Sequence, residues 1–245
     1  MSETSFHFRQ FTVHQEKCAM KVGTDSVLFG SWIEPGNAIR ILDIGTGTGI
    51  LALMLAQKST AMIHGVDIDQ HAFEQSNENF KISPWFNQLQ SIHTSIQQFA
   101  EKTPEAHYDL IVSNPPYFQQ ASKPSEESRL NARHSDSLSF DALISGVKKL
   151  LHPAGRFCII LPCKEGMEFM DKANRHGLFC RELVRVKTKT DRHEKRLIME
   201  FTFSIKPLNE REIIIQNEDG SFTEDYIELT KEYYIQLRPA TSPLP

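Results

Sequence analysis

Short apolar runs alternate with amphipathic stretches along most of this chain. Runs at 39–44, 62–67, 89–93, 108–113 and 156–161 are brief and bounded by turn residues, which predicts buried strands. Between them the spacing becomes helical. A helix opens at 50–56, others are predicted at 71–80, 96–100 and 164–175, and 140–151 sets Leu143, Ile144, Val147, Leu150 and Leu151 on one face. Such alternation predicts an α/β fold with a doubly wound, mostly parallel sheet. Two further runs, 178–187 and 197–205, follow one another without a helix and predict an antiparallel hairpin at the sheet edge, which makes seven strands.

The flanks are less regular. Residues 1–20 are mixed and polar, with the aromatics Phe6, Phe8 and Phe11, and read as an arm with one strand. A short helix over 26–32 is expected to be capped by Thr24 or Asp25. Pro153-Ala154-Gly155 predicts a turn, and Gln119–Ser139 is the longest irregular stretch. Stretches of that length in compact domains tend to be functional loops or disordered, and a substrate lid is expected here. After Pro207 a strand at 212–216, a turn at Asp219-Gly220 and residues 223–229 predict a small hairpin leading to a last helix that runs through Tyr234. The expected organisation is one domain with three parts: an arm and flanking segment at 1–36, a core at 37–207 and a small acidic extension at 208–245 packed on that core.

Composition narrows the class. Of 245 residues, 40% are apolar and 24% charged, enough for a folded, soluble domain. No apolar run approaches the ~18 residues of a membrane span. The first residues lack a basic region followed by an apolar one, so no signal peptide is predicted. Cys18, Cys158, Cys163 and Cys180 form no C-x-x-C pair and no zinc-spaced cluster with His, so free thiols in a reducing cytoplasm and no metal are expected. The net charge of −4 argues against general nucleic-acid binding, but it is unevenly spread. Between Arg185 and Arg196 six Lys/Arg face two acids, and between Leu208 and Glu232 eight acids face two bases. The basic segment is either a phosphate footprint or a solvated hairpin of mixed charge.

Two stretches carry chemistry. Gly45, Gly47 and Gly49 form a G-x-G-x-G turn between a strand and a helix. The third glycine of a dinucleotide fingerprint would fall at position 50, which is Ile50. Asp43 stands two residues before the first glycine and suits a ligand with a cationic amino-acid end. Asp67 lies eighteen residues past Gly49 at a strand end, where an acid can hold a ribose diol. Ser95 is predicted at another such end. The second stretch is Ser113-Asn114-Pro115-Pro116-Tyr117-Phe118. Two prolines end the strand and stiffen the corner, so the Asn114 amide oxygen and the proline carbonyls become fixed acceptors beside the Tyr117 ring. That set suits a planar group bearing NH2. Taken alone, a Pro-Pro corner is also common loop punctuation.

Together the stretches Asp43–Gly49, Val66-Asp67-Ile68-Asp69 and Asn114–Tyr117 resemble the amino-methylating branch of the class I S-adenosylmethionine-dependent methyltransferases, over about residues 20–205. Further stretches, Gln10–His14, Met20–Asp25 and Asn131–His134, resemble the bacterial tRNA-Val adenine-N6 methyltransferases, a family that modifies the adenine just 3′ of the anticodon. The resemblance implies S-adenosylmethionine as cofactor and a tRNA anticodon stem-loop as partner. Gly23, Thr24 and Asp25 then lie near the methionine end of the cofactor, and Thr46 and Ile68 join Asp43, Gly45, Gly47, Gly49, Asp67, Ser95 and Asn114 around it. Asn114 and Pro115 accept from the target amine, Tyr117 stacks on the base and Phe118 closes the pocket. Arg129 and Arg133 in the lid, with Arg192, Lys195 and Arg196, grip phosphates. A monomer is expected.

The same acceptor corner also serves enzymes that methylate protein glutamine amides, DNA adenine and, in a near variant, guanine N2 of ribosomal RNA. A helical N-terminal domain or a target-recognition domain of a hundred residues or more would be expected for the protein and DNA enzymes, and neither is apparent. The rival outside enzymes is a non-catalytic RNA-binding protein.

Overall fold

The computed structural model describes residues 4–115 and 138–237. Its centre is an eight-stranded sheet. Five of its strands are β3 (Arg40–Ile44), β4 (Met62–Asp67), β5 (Leu89–His93), β6 (Tyr108–Ser113) and β7 (Leu151–Pro162), preceded in the chain by a two-stranded hairpin of β1 (Ser5–His7) and β2 (Thr12–His14). The sheet is completed by β8 (Phe179–Lys187), β9 (Glu194–Thr202) and β10 (Asn209–Ile214), in the order β10-β8-β9-β7-β6-β3-β4-β5. β3, β4, β5, β6 and β7 run parallel, β9 runs antiparallel to both β7 and β8, and β10 is parallel to β8.

The central strands β3, β6 and β7 are largely buried on both faces because helices cover both. Ile41, Leu110, Val112 and Ile160 point to one layer and Leu42, Ile111, Phe157 and Ile159 to the other, the alternation a strand imposes. The first layer holds α1 (Thr24–Trp32), α2 (Ile50–Lys58) and α3 (Gln70–Ile82), and the second α4 (Ile96–Lys102), α5 (Phe140–Leu150) and α6 (Cys163–Arg175).

Four expectations change. The arm carries two strands, not one, and it is anchored: Phe8 stacks on Phe11 at 4.7 Å and bridges Tyr234, and Arg9 donates to the Tyr234 carbonyl at 2.7 Å. The N-cap of α1 is Gly23 with no side-chain cap, so neither Thr24 nor Asp25 caps it. Pro153-Ala154-Gly155 does not break the strand. It is a bulge inside β7, where the pairing with β6 jumps from Tyr108↔Leu151 to Leu110↔Arg156. The acidic segment supplies an eighth strand of the sheet, in addition to the expected turn at Asp219-Gly220, where the chain doubles back with the Asn217 amide donating to the Ser221 carbonyl and the Thr223 amide to the Ile215 carbonyl.

That strand, β10, pairs with the basic β8 through Lys187–Glu212 at 2.6 Å, Arg211–Glu182 at 3.2 Å and Arg185–Glu210. The two opposite charge blocks of the sequence therefore answer one another across one strand pair. One antiparallel bridge, Gln216↔Phe222, leads to α7 (Glu224–Thr230), which ends short of Tyr234.

Candidate active site at the switch point of the sheet

The chain builds β3, β4 and β5 outward in one direction and then places β6 on the other side of β3. A crevice opens where the winding reverses, outside the carboxyl ends of β3 and β6, and ligands of such sheets bind there. The ends of β6, β3, β4 and β5, side by side, deliver Asn114, the 45–49 turn, Asp67 and Ser95 to one edge.

The glycine turn is held from beneath. Asp43 is fully buried, and its Oδ2 accepts from Thr46 Oγ1 at 2.7 Å. Its Oδ1 is enclosed with no hydrogen-bond partner among the described residues. Burial is the main force that pushes the Asp43 carboxyl up to about 7, and the nearby Asp67 charge adds to it while the Thr46 hydroxyl opposes. Asp67 Oδ2 accepts from the Gly47 amide at 2.9 Å and its Oδ1 from the Asp69 amide at 3.0 Å, so β4 fixes the outer rim of the turn. Burial raises the Asp67 carboxyl as well.

Gly47 has φ +56 and Gly49 φ +82, a region costly for residues with a Cβ. Nothing lies within 4 Å of where a Cβ on Gly47 would stand, whereas one on Gly49 would stand 2.4 Å from the Phe80 ring. Gly47 thus faces open space, and Gly49 lies against α3.

The Asp43 environment makes a prediction. A carboxyl whose folded pKa is raised from 3.8 to about 7 contributes stability that is complete below pH ~4 and is lost as pH rises through 7. Asp43→Asn cannot ionise, so its melting temperature should fall less than that of the parent between pH 5 and pH 8. Parallel slopes in thermal melts across that range would refute the assignment.

A family model described as the methyltransferase small domain matches residues 18–176. The chain belongs to that family. Curated relatives extend the likeness to nearly the whole chain. A tRNA1(Val) (adenine(37)-N6)-methyltransferase of Bacteroides fragilis is 40% identical over 237 residues, covering 97% of this chain and all of the relative. Proteins of the same name from Phocaeicola vulgatus and Trichodesmium erythraeum are 41% and 40% identical over 97% and 96% of this chain, again covering all of each relative. Among solved structures, a predicted O-methyltransferase from Agrobacterium tumefaciens has the same fold, with a TM-score of 0.69 at 17% identity, covering 88% of this chain and 99% of that one.

Within this methyltransferase fold the other expected site residues fall as follows. Gly23 and Thr24 are exposed at the start of α1, beside the crevice. Ile68 is 44% exposed just beyond Asp67. Ser95 caps α4, its Oγ accepting from the Gln98 amide at 3.2 Å. Asn114 donates from Nδ2 to Ser26 Oγ at 3.0 Å, and Pro115 is buried behind it. Tyr117, Phe118, Arg129, Arg133 and most of the expected lid lie outside the described residues.

The basic segment divides. Arg185, Lys187 and Lys189 bind acids or a carbonyl of the acidic segment. Arg196 donates from Nε to Asp25 Oδ2 at 2.7 Å, so it serves α1 rather than standing out toward solvent. Arg192 and Lys195 are exposed, Arg192 with only a 3.8 Å approach to Asp191.

Sequence reasoning missed the brace behind the turn. Asn79 is fully buried in α3 and donates to the Thr48 carbonyl and the His14 carbonyl, both at 2.8 Å, while its Oδ1 accepts from the His14 amide at 2.9 Å. Gln75 Oε1 likewise accepts from the Lys17 amide at 3.0 Å. One helix thus joins the arm to the glycine turn. Its signal was a polar inner face, Gln75, Ser76 and Asn79, where an amphipathic helix ordinarily buries apolar residues. Among the described residues no His/Cys/Asp/Glu cluster fits a metal ion, and no helix is long and apolar enough to cross a membrane.

Proposed function

We propose that this chain is an S-adenosylmethionine-dependent methyltransferase that acts on N6 of adenine 37 in tRNA1(Val), as a metal-free cytoplasmic monomer. The observation that carries the reading is the position of Asn114, which leaves β6 at the switch point directly beside the glycine turn. The full-length likeness to relatives named for this reaction supports the choice of base and RNA.

The cofactor's fit rests on the open space before Gly47 and on the carboxylate of Asp67. S-adenosylmethionine supplies a methyl group already activated on a sulfonium. Asp67 would accept from the ribose hydroxyls with the lone pairs its two amide contacts leave over. Ile68 and Ser95, at the ends of the neighbouring strands, would hold the adenine. Gly45, Gly47 and Gly49 let the backbone approach closely, and Gly23 and Thr24 flank the methionine end. Asp43 and Thr46, both buried, shape the turn from inside.

An adenine amine is a weak nucleophile because its lone pair is delocalised into the ring. The Asn114 Oδ1 and the Pro115 carbonyl accept its two hydrogens and favour a pyramidal nitrogen. Tyr117 stacks on the base, a contact worth ~1–3 kcal/mol. Bound there, the sulfonium would supply its methyl group to that nitrogen with the neutral thioether as leaving group, and the amine's extra proton would pass to solvent, so no dedicated base is needed. Positioning supplies most of the rate. The base is out of its stack, which costs least in an anticodon loop.

Arg192 and Lys195 grip phosphates, with Arg129 and Arg133. Changing Arg192 and Lys195 together to Ala should weaken tRNA binding and reduce the magnitude of the salt slope by about two, one for each lost contact. An unchanged slope in a binding titration would remove them from the interface.

Incubation with methyl-labelled S-adenosylmethionine and separate pools of tRNA, ribosomal RNA, DNA and protein tests the whole reading. Label is expected in tRNA alone. Label confined to another pool overturns the choice of substrate.

A further inference from the structure

An asparagine amide has two unlike ends, and only its oxygen can accept from a target amine. The backbone alone does not decide which way that oxygen faces, because the terminal torsion of Asn is broad and nearly two-fold. At Asn114 the backbone is well fixed. Ser113 is buried and its Oγ donates to the Ile44 carbonyl at 2.8 Å, tying the end of β6 to β3, and Pro115 stiffens the next bond. A contact on its nitrogen end comes from a residue 88 positions away: Asn114 Nδ2 donates to Ser26 Oγ at 3.0 Å.

Ser26 is well placed for this. It lies in the first turn of α1, where its amide and that of Val27 both donate to the Gly23 carbonyl. The next three residues, Val27, Leu28 and Phe29, are completely buried and seat the helix in the core. The turn has a second anchor. β9 enters the sheet at the carboxyl edge, with Arg196 opposite Pro162 of β7 and Val186 of β8. From there Arg196 reaches Asp25 at 2.7 Å, while its Nη1 donates to the Lys195 carbonyl at 2.9 Å. A continuous line of contacts thus runs from β9 through Asp25 and Ser26 to Asn114.

We propose that Ser26 is a positioning residue for methyl transfer: its hydroxyl engages the nitrogen end of the Asn114 amide and turns the oxygen end toward the target amine, on a helix turn fixed by the Asp25–Arg196 pair. The inference rests on the reading of Asn114 as the acceptor for that amine. Ser26 itself touches neither the amine nor the methyl group. Its loss leaves the ligands bound and the acceptor misdirected.

The test compares Ser26→Thr with Ser26→Val, which have the same shape and differ by the hydroxyl, together with Ser26→Ala, Asn114→Ala and the Ser26→Ala/Asn114→Ala double variant. Each full-length protein is assayed with S-adenosylmethionine and a tRNA1(Val) transcript. Ser26→Val and Ser26→Ala should lower kcat about 10- to 100-fold, the scale of a misplaced reacting group, with KM for the tRNA and Kd for the cofactor unchanged. Ser26→Thr should retain most of the rate. In the Asn114→Ala background the loss of Ser26 should cost nothing further, because both changes remove the same contact. Wild-type kcat in Ser26→Val, equal losses in Thr and Val, or losses that multiply in the double variant would overturn the inference while Asn114 keeps its role. Full turnover by Asn114→Ala would overturn both, and the two failures are distinguished by that one variant.

Discussion

Asn114→Ala should lower kcat for tRNA methylation by about 10²–10³-fold, the range seen when one preorganised polar partner of a reacting group is removed. The substitution takes away the amide proposed as acceptor at the end of β6. It leaves β6 itself intact, because Ser113 still donates to Ile44 and Pro115 still fixes the corner. The contacts proposed for the cofactor lie on the glycine turn and Asp67, so cofactor affinity should change little. Stability should change little as well, since Asn114 is only partly buried. The expected signature is therefore a fall in kcat with calorimetric S-adenosylmethionine binding and melting temperature close to the parent. A variant that loses cofactor binding in proportion to rate would mean that Asn114 serves the cofactor and not the amine.

The second large effect separates two glycines that look alike in sequence. Both have positive φ, which costs an alanine about 1–2 kcal/mol. At Gly49 the new methyl would also stand 2.4 Å from Phe80, which is itself buried in the core, so overpacking adds about 1–3 kcal/mol. Gly49→Ala should lose about 2–5 kcal/mol in total, a drop in melting temperature of roughly 4–20 °C for a chain of this size. At Gly47 the methyl meets open space. Gly47→Ala should pay only the backbone cost in stability, yet fill the space proposed for the cofactor and weaken its binding more than tenfold, about 1.4 kcal/mol. Thermal melts with cofactor titrations on the same two proteins check both halves. Equal melting temperatures, or normal binding by Gly47→Ala, would contradict the assignment of one glycine to packing and the other to the ligand.

The parts of this molecule legible in the sequence were those whose signal is local. A short run of strand-forming residues bounded by turns marks itself whatever it pairs with, so β3, β4, β5 and β6 fall within a residue of their expected bounds. The glycine turn was legible because its spacing is itself a backbone requirement. The parts that were not legible depend on distant partners. β10 carries a charged pattern, Asn209-Glu210-Arg211-Glu212, that signals a strand only once β8 supplies the opposite charges. Arg196 appears in the sequence as one more exposed cation, and only the fold brings Asp25 to it from 171 residues away. The Pro153–Gly155 segment has ordinary turn composition, and the strand absorbs it because β6 tolerates a register jump there. Asn79 was hidden for a different reason: a polar residue on a helix is ordinarily assigned to water, and here its water has been replaced by the arm and the glycine turn.

The central claim is that the Asn114 corner acts on the amine of one base. It is tested most directly by incubating the full-length protein with methyl-labelled S-adenosylmethionine and two tRNA1(Val) transcripts, one with adenine and one with guanine at position 37, and analysing the digested nucleosides by mass spectrometry. The account predicts N6-methyladenosine from the adenine transcript and no label from the guanine transcript. Label of equal extent in both, or a methyl group on any atom other than N6, would contradict it.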